Sequence, residues 1–103
     1  MKDYEAVIIL QPRATPEKVQ EDIQKVKDII TKNNGVIQSE IKWGKRNLTY
    51  SIKKKREGYY LLLHFQLDPS AVKTIAQAYR LLEEEVLRFM ITEQNKRPVA
   101  KVA

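Results

Sequence analysis

Hydrophobic positions along the chain change period several times, and each change marks an element. Tyr4 to Leu10 is a short β-rich run, Tyr-Glu-Ala-Val-Ile-Ile-Leu, closed by Gln11-Pro12. Largely apolar on both faces, it predicts a strand in the middle of a sheet. Thr15 then stands as an N-cap, with Pro16 at the first helical position and Glu17 in the first turn. Val19, Ile23, Val26 and Ile30 follow at steps of four, three and four, the stripe of one amphipathic helix. Asn33-Asn34-Gly35 ends it, where glycine can take the left-handed cap conformation.

From Val36 the period is two, with Ile37, Ile41 and Trp43 on odd positions, but beyond Gly44 the apolar set is Leu48, Tyr50 and Ile52 on even ones. A flip of one residue across Gly44 fits a hairpin turn or one long strand with a glycine bulge, and the bulge is the preferred reading. Lys53 to Gly58 reads as a turn. Tyr59 to Leu67 reads as a strand with Tyr59, Leu61, Leu63, Phe65 and Leu67 on one face and Tyr60, Leu62, His64 and Gln66 on the other. Asp68-Pro69 opens a second helix carrying Val72, Ile75, Ala76, Tyr79 and Leu82, and Val86 to Thr92 is a last strand with Leu87, Phe89 and Ile91 pointing one way.

The order is strand, helix, strand, strand, helix, strand. Two right-handed crossovers then place both helices on one face of the sheet. The expected class is α+β: a ferredoxin-like split βαββαβ with a four-stranded antiparallel sheet, spanning residues 1–94, with 95–103 as a basic flexible tail. Because the helices cover one face only, Val7, Ile9, Tyr60, Leu62, Val86 and Met90 are expected on the other. An open apolar sheet face marks a protein interface, and Val7, Ile9, Tyr60, Leu62 and Met90 are the expected partner-binding residues. Arg88 lies on that face too, beside Met90, and is expected to serve the partner or an RNA surface.

Composition narrows the chemistry. The 103 residues make one domain, long enough to bury about 65% of the unfolded surface. No cysteine excludes disulfides, thiol catalysis and thiolate metal sites, and the single histidine, His64, leaves no imidazole cluster. No cofactor or metal is expected. The start, Met1-Lys2-Asp3-Tyr4-Glu5, lacks the layout of a signal peptide and no apolar run approaches a bilayer span, so the expected compartment is the cytoplasm.

Charge is distributed unevenly. The net is +6, yet Lys42 to Arg56 holds seven basic residues and no acid, and Asn95 onward adds three more with none. The rest carries nine basic against thirteen acidic residues, so a mildly acidic body bears a concentrated basic edge. Such an edge either resists edge-to-edge aggregation or binds phosphates, and Trp43, Tyr50 and Tyr59 lie within or beside it as possible stacking partners. The expected RNA-binding residues are Lys2, Lys42, Lys45, Arg46, Lys53, Lys54, Lys55, Arg56 and Arg88. Trp43 either stacks on a base or covers the edge of the core. Glu83-Glu84-Glu85 point in different directions and read as a solvated helix end.

Tyr4-Glu5 with Ile8-Ile9-Leu10-Gln11-Pro12, then Gly35, Trp43-Gly44-Lys45-Arg46-Asn47-Leu48-Thr49-Tyr50-Ser51-Ile52, Gly58-Tyr59-Tyr60 and Val86-Leu87-Arg88-Phe89-Met90-Ile91 together resemble the bacterial small-subunit ribosomal protein six family over residues 2 to about 94. The resemblance implies a non-catalytic, ribosome-associated, ferredoxin-like domain. It also implies binding to the central domain of small-subunit ribosomal RNA, as a heterodimer with small-subunit ribosomal protein eighteen. Asn47, Thr49 and Ser51 depart from the family pattern, which commonly has a basic residue, alanine and proline there. Two alternatives share the topology: an acylphosphatase-like enzyme using Arg13 in the first strand-helix loop, and a ligand-sensing regulatory domain. The first lacks a glycine to wrap an anion, and the second needs a fused enzyme.

Overall fold

A computed structural model describes residues 1–13, 15–52, 55–82, 84–93 and 98–101, with side chains omitted from the description at 48–52, 55–56 and 98–101. Its elements are β1 (Lys2–Leu10), α1 (Pro16–Lys32), β2 (Val36–Ile52), β3 (Lys55–Leu67), a 3-10 turn (Pro69–Ala71), α2 (Val72–Leu81), β4 (Val86–Glu93) and β5 (Pro98–Lys101). The expected antiparallel strands pair in the order β2-β3-β1-β4, and β5 adds to the β4 edge. That addition involves residues of the segment read as a flexible tail, and four residues opened by a proline are too short to show a strand period. β1, apolar on both faces, is central as expected.

The helix-covered face holds the core. Tyr4, Ala6, Ile8 and Leu10 of β1, Leu61, Leu63, Phe65 and Leu67 of β3, and Phe89 and Ile91 of β4 are all almost wholly buried, against Ile23, Val26 and Ile30 of α1 and Val72, Ile75, Ala76 and Tyr79 of α2. The Tyr79 hydroxyl donates to the Val26 carbonyl at 3.0 Å, and its ring meets Phe89 edge-on at 5.3 Å. One polar contact thus ties α2 to α1 inside an apolar layer, where an unpaired hydroxyl would be costly.

Three local readings need correction. β3 begins at Lys55, so Lys55 to Gly58 belong to a strand and not to the turn; a run of charged residues carries no apolar alternation to reveal it. The left-handed residue after α1 is Asn34, at φ 65°, and not Gly35; asparagine tolerates that conformation. Gly35 is needed for a different reason, since a Cβ there would sit 2.5 Å from Ile30 Cγ2 and 2.8 Å from the Ile30 carbonyl oxygen. Finally, Arg88 pairs with Ile9 but Leu10 pairs with Val86, so the ladder passes over Leu87. That bulge puts Val86 in the core cluster, not on the open face, while Leu87 is buried outside the cluster.

The bulge reading at Gly44 agrees with the structure. β2 is one strand whose register with β3 slips between Lys42 and Gly44, where Gly44 takes φ 84°. A second slip, between Ile37 and Ser39, carried no glycine to announce it.

Candidate binding surfaces

β2 is an outer strand, so its charges line one edge of the sheet. Lys42 Nζ lies 3.5 Å from Glu40 and 3.1 Å from the Gln20 side-chain oxygen on α1. Lys45 Nζ lies 3.1 Å from Glu57, with both side chains well exposed, and Arg46 is exposed and donates to the Lys45 carbonyl at 3.4 Å. Ion pairs as exposed as that of Lys45 contribute roughly 0–1 kcal/mol. Burial disfavours the Glu40 carboxylate, but Lys27 at 2.8 Å and Lys42 outweigh it and hold its pKa below the usual range.

Of the other residues expected at this edge, Lys53 and Lys54 lie outside the described residues, and Lys55 and Arg56 are described as β3 backbone only. Lys2 is not brought to it. It pairs with Leu67 at the start of β1, whereas the Lys45 row reaches Leu10 through Tyr59, about 27 Å further along the strand. There Lys2 meets Glu93 at 3.6 Å.

The face away from the helices carries rows set by register. Ile41, Leu62, Val7 and Met90 lie side by side across β2, β3, β1 and β4; the next row is Gly44, Tyr60, Ile9 and Arg88. Met90, Ile41 and Trp43 are 37%, 42% and 44% exposed, whereas Ile9 and Leu62 at the centre are each only 8% exposed. Val7, Tyr60 and Arg88 are half-buried. All five expected partner-facing residues thus share this face, but two are already covered by their neighbours. The Trp43 ring lies 6.4 Å from that of Tyr60, so it extends this face and does not cover the core.

Sequence reasoning missed Ile41 as a member of this surface. Ile37 packs against the core opposite Phe65, and the slip before Ser39 turns Ile41 to the open side, so equal parity along β2 does not mean an equal face. It also missed the partner of His64, whose Nε2 lies 3.0 Å from Glu5 Oε2 at the end of the open face remote from Gly44. Two residues on adjacent strands, 59 apart in sequence, leave no local signal for that contact.

Arg13, the residue on which an enzymatic reading rests, is held by Asp22 of α1. Its Nε and Nη2 donate to the two carboxylate oxygens at 2.7 and 3.3 Å, and the Asp22 side chain is nearly buried. The pair pins the loop between β1 and α1. Glu85 lies 3.3 Å from Lys25, Glu84 is exposed and Glu83 lies outside the described residues. Among the described residues no three acidic or histidine side chains converge as a metal site, and no helix is long and apolar enough to cross a membrane.

Helices fill one face of the sheet, the other face is open, and basic side chains line the β2 edge. This is a ferredoxin-like binding domain. Residues 3–93 match the family described as ribosomal protein S6. The small ribosomal subunit protein bS6 of Helicobacter acinonychis is 38% identical over 97 residues, 94% of this chain and 68% of that protein. Those of Azobacteroides pseudotrichonymphae and Clostridium novyi are 41% and 35% identical over 96 residues, 93% of this chain and 85% and 100% of theirs. The crystal structure of 30S ribosomal protein S6 from Thermotoga maritima superposes with a TM-score of 0.83 at 27% identity, covering 91% of this chain and 88% of that one. The chain belongs to the bacterial ribosomal protein S6 family, structural components of the small ribosomal subunit and not enzymes.

Proposed function

We propose that the chain binds the central domain of small-subunit ribosomal RNA in the cytoplasm as a heterodimer with small-subunit ribosomal protein eighteen, the RNA on the basic edge and the partner on the open sheet face. The observation that carries this reading is the division of the outer strand between the two sides of the sheet: Lys42 and Lys45 pair with Leu61 and Tyr59 on the helix side, while Ile41 pairs with Leu62 on the open side, in the apolar row that Met90 ends. Covering a large apolar side chain is worth roughly 1.5–3 kcal/mol. Ile41, Trp43 and Met90 keep only about 40% of their surface exposed, so a partner that covers all three gains roughly 2–4 kcal/mol, and its other contacts supply the rest of the roughly 8 kcal/mol of a micromolar complex. The edge supplies sequence-independent attraction, with log affinity falling by roughly 0.7–0.9 per phosphate contact against log salt.

Titrating the ribosomal RNA with each protein separately and then with both tests the reading. Weak binding by this chain alone and tight binding by the pair is expected. Equally tight binding by the chain alone contradicts the need for a partner.

A further inference from the structure

Beside the basic edge, on the helix side of the sheet, the structure holds a cleft of about 370 Å³ between the β1–α1 loop, the first turns of α1 and the β2–β3 ladder. It exists because α1 does not cover the end of the sheet: Leu61 beneath the helix is fully buried, whereas Tyr59, two residues earlier on the same face, is half-buried and lines the opening. Pro16 and Val19 of α1 form the opposite apolar wall. Lys45 is paired in register with Tyr59, and Lys42 reaches over to Gln20 at 3.1 Å, so two ammonium groups stand at the rim. Arg13 also lines the cleft, and its attachment to Asp22 fixes the guanidinium without using all five of its N–H groups.

We propose that this cleft receives one unpaired nucleotide of the bound RNA, its base stacked on Tyr59 and its flanking phosphates at Lys42 and Lys45. The inference rests on the RNA-binding reading and adds a specific contact to an edge that otherwise only attracts. The volume lies at the small end of the range for ligand sites, suited to a nucleotide and not to a helix or strand of another protein. An apolar interior with a cationic rim matches the chemistry of a nucleotide, with a flat base and a charged backbone. At the rim, Lys45 is held by the exposed Glu57 carboxylate and Lys42 by the Gln20 amide and by Glu40, which Lys27 also neutralises, so both ammonium groups are open to a phosphate.

The test measures binding of a central-domain ribosomal RNA fragment by this chain with its partner protein, over a range of salt, for three variants whose folding is checked by thermal melting. Tyr59→Leu keeps apolar bulk but removes the ring. Gln20→Trp fills the mouth from an exposed helix position. The double variant Lys45→Gln/Arg46→Gln weakens the edge. Base stacking implies a loss of about 5- to 140-fold for Tyr59→Leu, with the salt slope unchanged because no phosphate contact is removed; Gln20→Trp loses affinity likewise. The edge variant loses affinity with a shallower slope. If folded Tyr59→Leu and Gln20→Trp bind within twofold of the parent, or tighter, while the edge variant weakens binding, the cleft proposal is overturned and the RNA reading stands. If the edge variant also binds like the parent, the RNA reading falls and the cleft proposal with it.

Discussion

The two faces of the sheet are made from the same four strands, β1 to β4, yet they carry opposite instructions. On the helix side, Leu61, Leu63, Phe65 and Ile91 show no exposed surface at all. On the open side, apolar residues of similar size grade from 8% exposed at Ile9 and Leu62 to about 40% at Met90, Ile41 and Trp43. Apolar character does not by itself distinguish the sealed face from the open one. What distinguishes them is whether the chain supplies its own cover, and on the open side it supplies only neighbouring side chains of the sheet.

The largest expected effect that separates the faces is on stability. Leu61→Ala opens a void between sheet and helices and should destabilise the protein by roughly 2–5 kcal/mol in chemical denaturation. A cost below about 1 kcal/mol would show that the helices do not seal this face. Gly35→Ala should follow at roughly 1–3 kcal/mol, because the added methyl meets Ile30 where the chain leaves α1 for β2. A neutral result there would mean that the helix end has room to move.

On the open face the order of effects inverts. Met90→Ala and Ile41→Ala should change the stability of the free chain by less than about 0.5 kcal/mol, as exposed sites do, while weakening the heterodimer measurably in calorimetric titration. Leu62 is a poorer probe, since its 8% exposure means that truncation costs stability before any partner arrives. The contrast is void if Met90→Ala melts the free protein as far as Leu61→Ala does.

How much of this was readable from residues alone follows from period and its interruptions. The order of elements, the central place of β1 and the identity of the Leu61-Leu63-Phe65-Leu67 face came from alternation sustained over many residues. Bulges defeat that logic, because one extra residue reverses every later assignment and only a glycine advertises the site. Gly44 did so; the slips at Ile37 and at Leu87 did not, and they moved Ile41 onto the open face and Val86 off it. The run of charge from Lys42 was visible in the sequence, but pairing sets the tail strand that ends at Lys101 on the opposite edge of the sheet and Lys2 at the far end of β1. Contacts between distant elements, such as Arg13 with Asp22 or Glu5 with His64, and the cleft lined by Tyr59, exist only once the strands are in register.

The smallest effect concerns acid. Lys27 and Lys42 lower the Glu40 pKa from a reference of 4.5, so the carboxylate stabilises the folded state above that reference, and the contribution is lost as pH falls through the lowered value. Glu40→Gln should therefore be less stable than the parent near neutral pH, and urea titrations should show the gap closing as pH falls through the lowered Glu40 value. A gap that widens on acidification would reverse the sign of the account.

Calorimetric titration of ribosomal protein eighteen into two folded variants decides whether partner and RNA use different surfaces. For Met90→Glu, which places a charge within the apolar row, the account predicts a heterodimer weakened by at least about tenfold, the effect of roughly 1.4 kcal/mol. For Lys45→Glu/Arg46→Glu it predicts partner affinity within about threefold of the parent, since charges at the border of a contact act on association rate and salt dependence more than on affinity. A heterodimer abolished by the edge variant and untouched by Met90→Glu would contradict it.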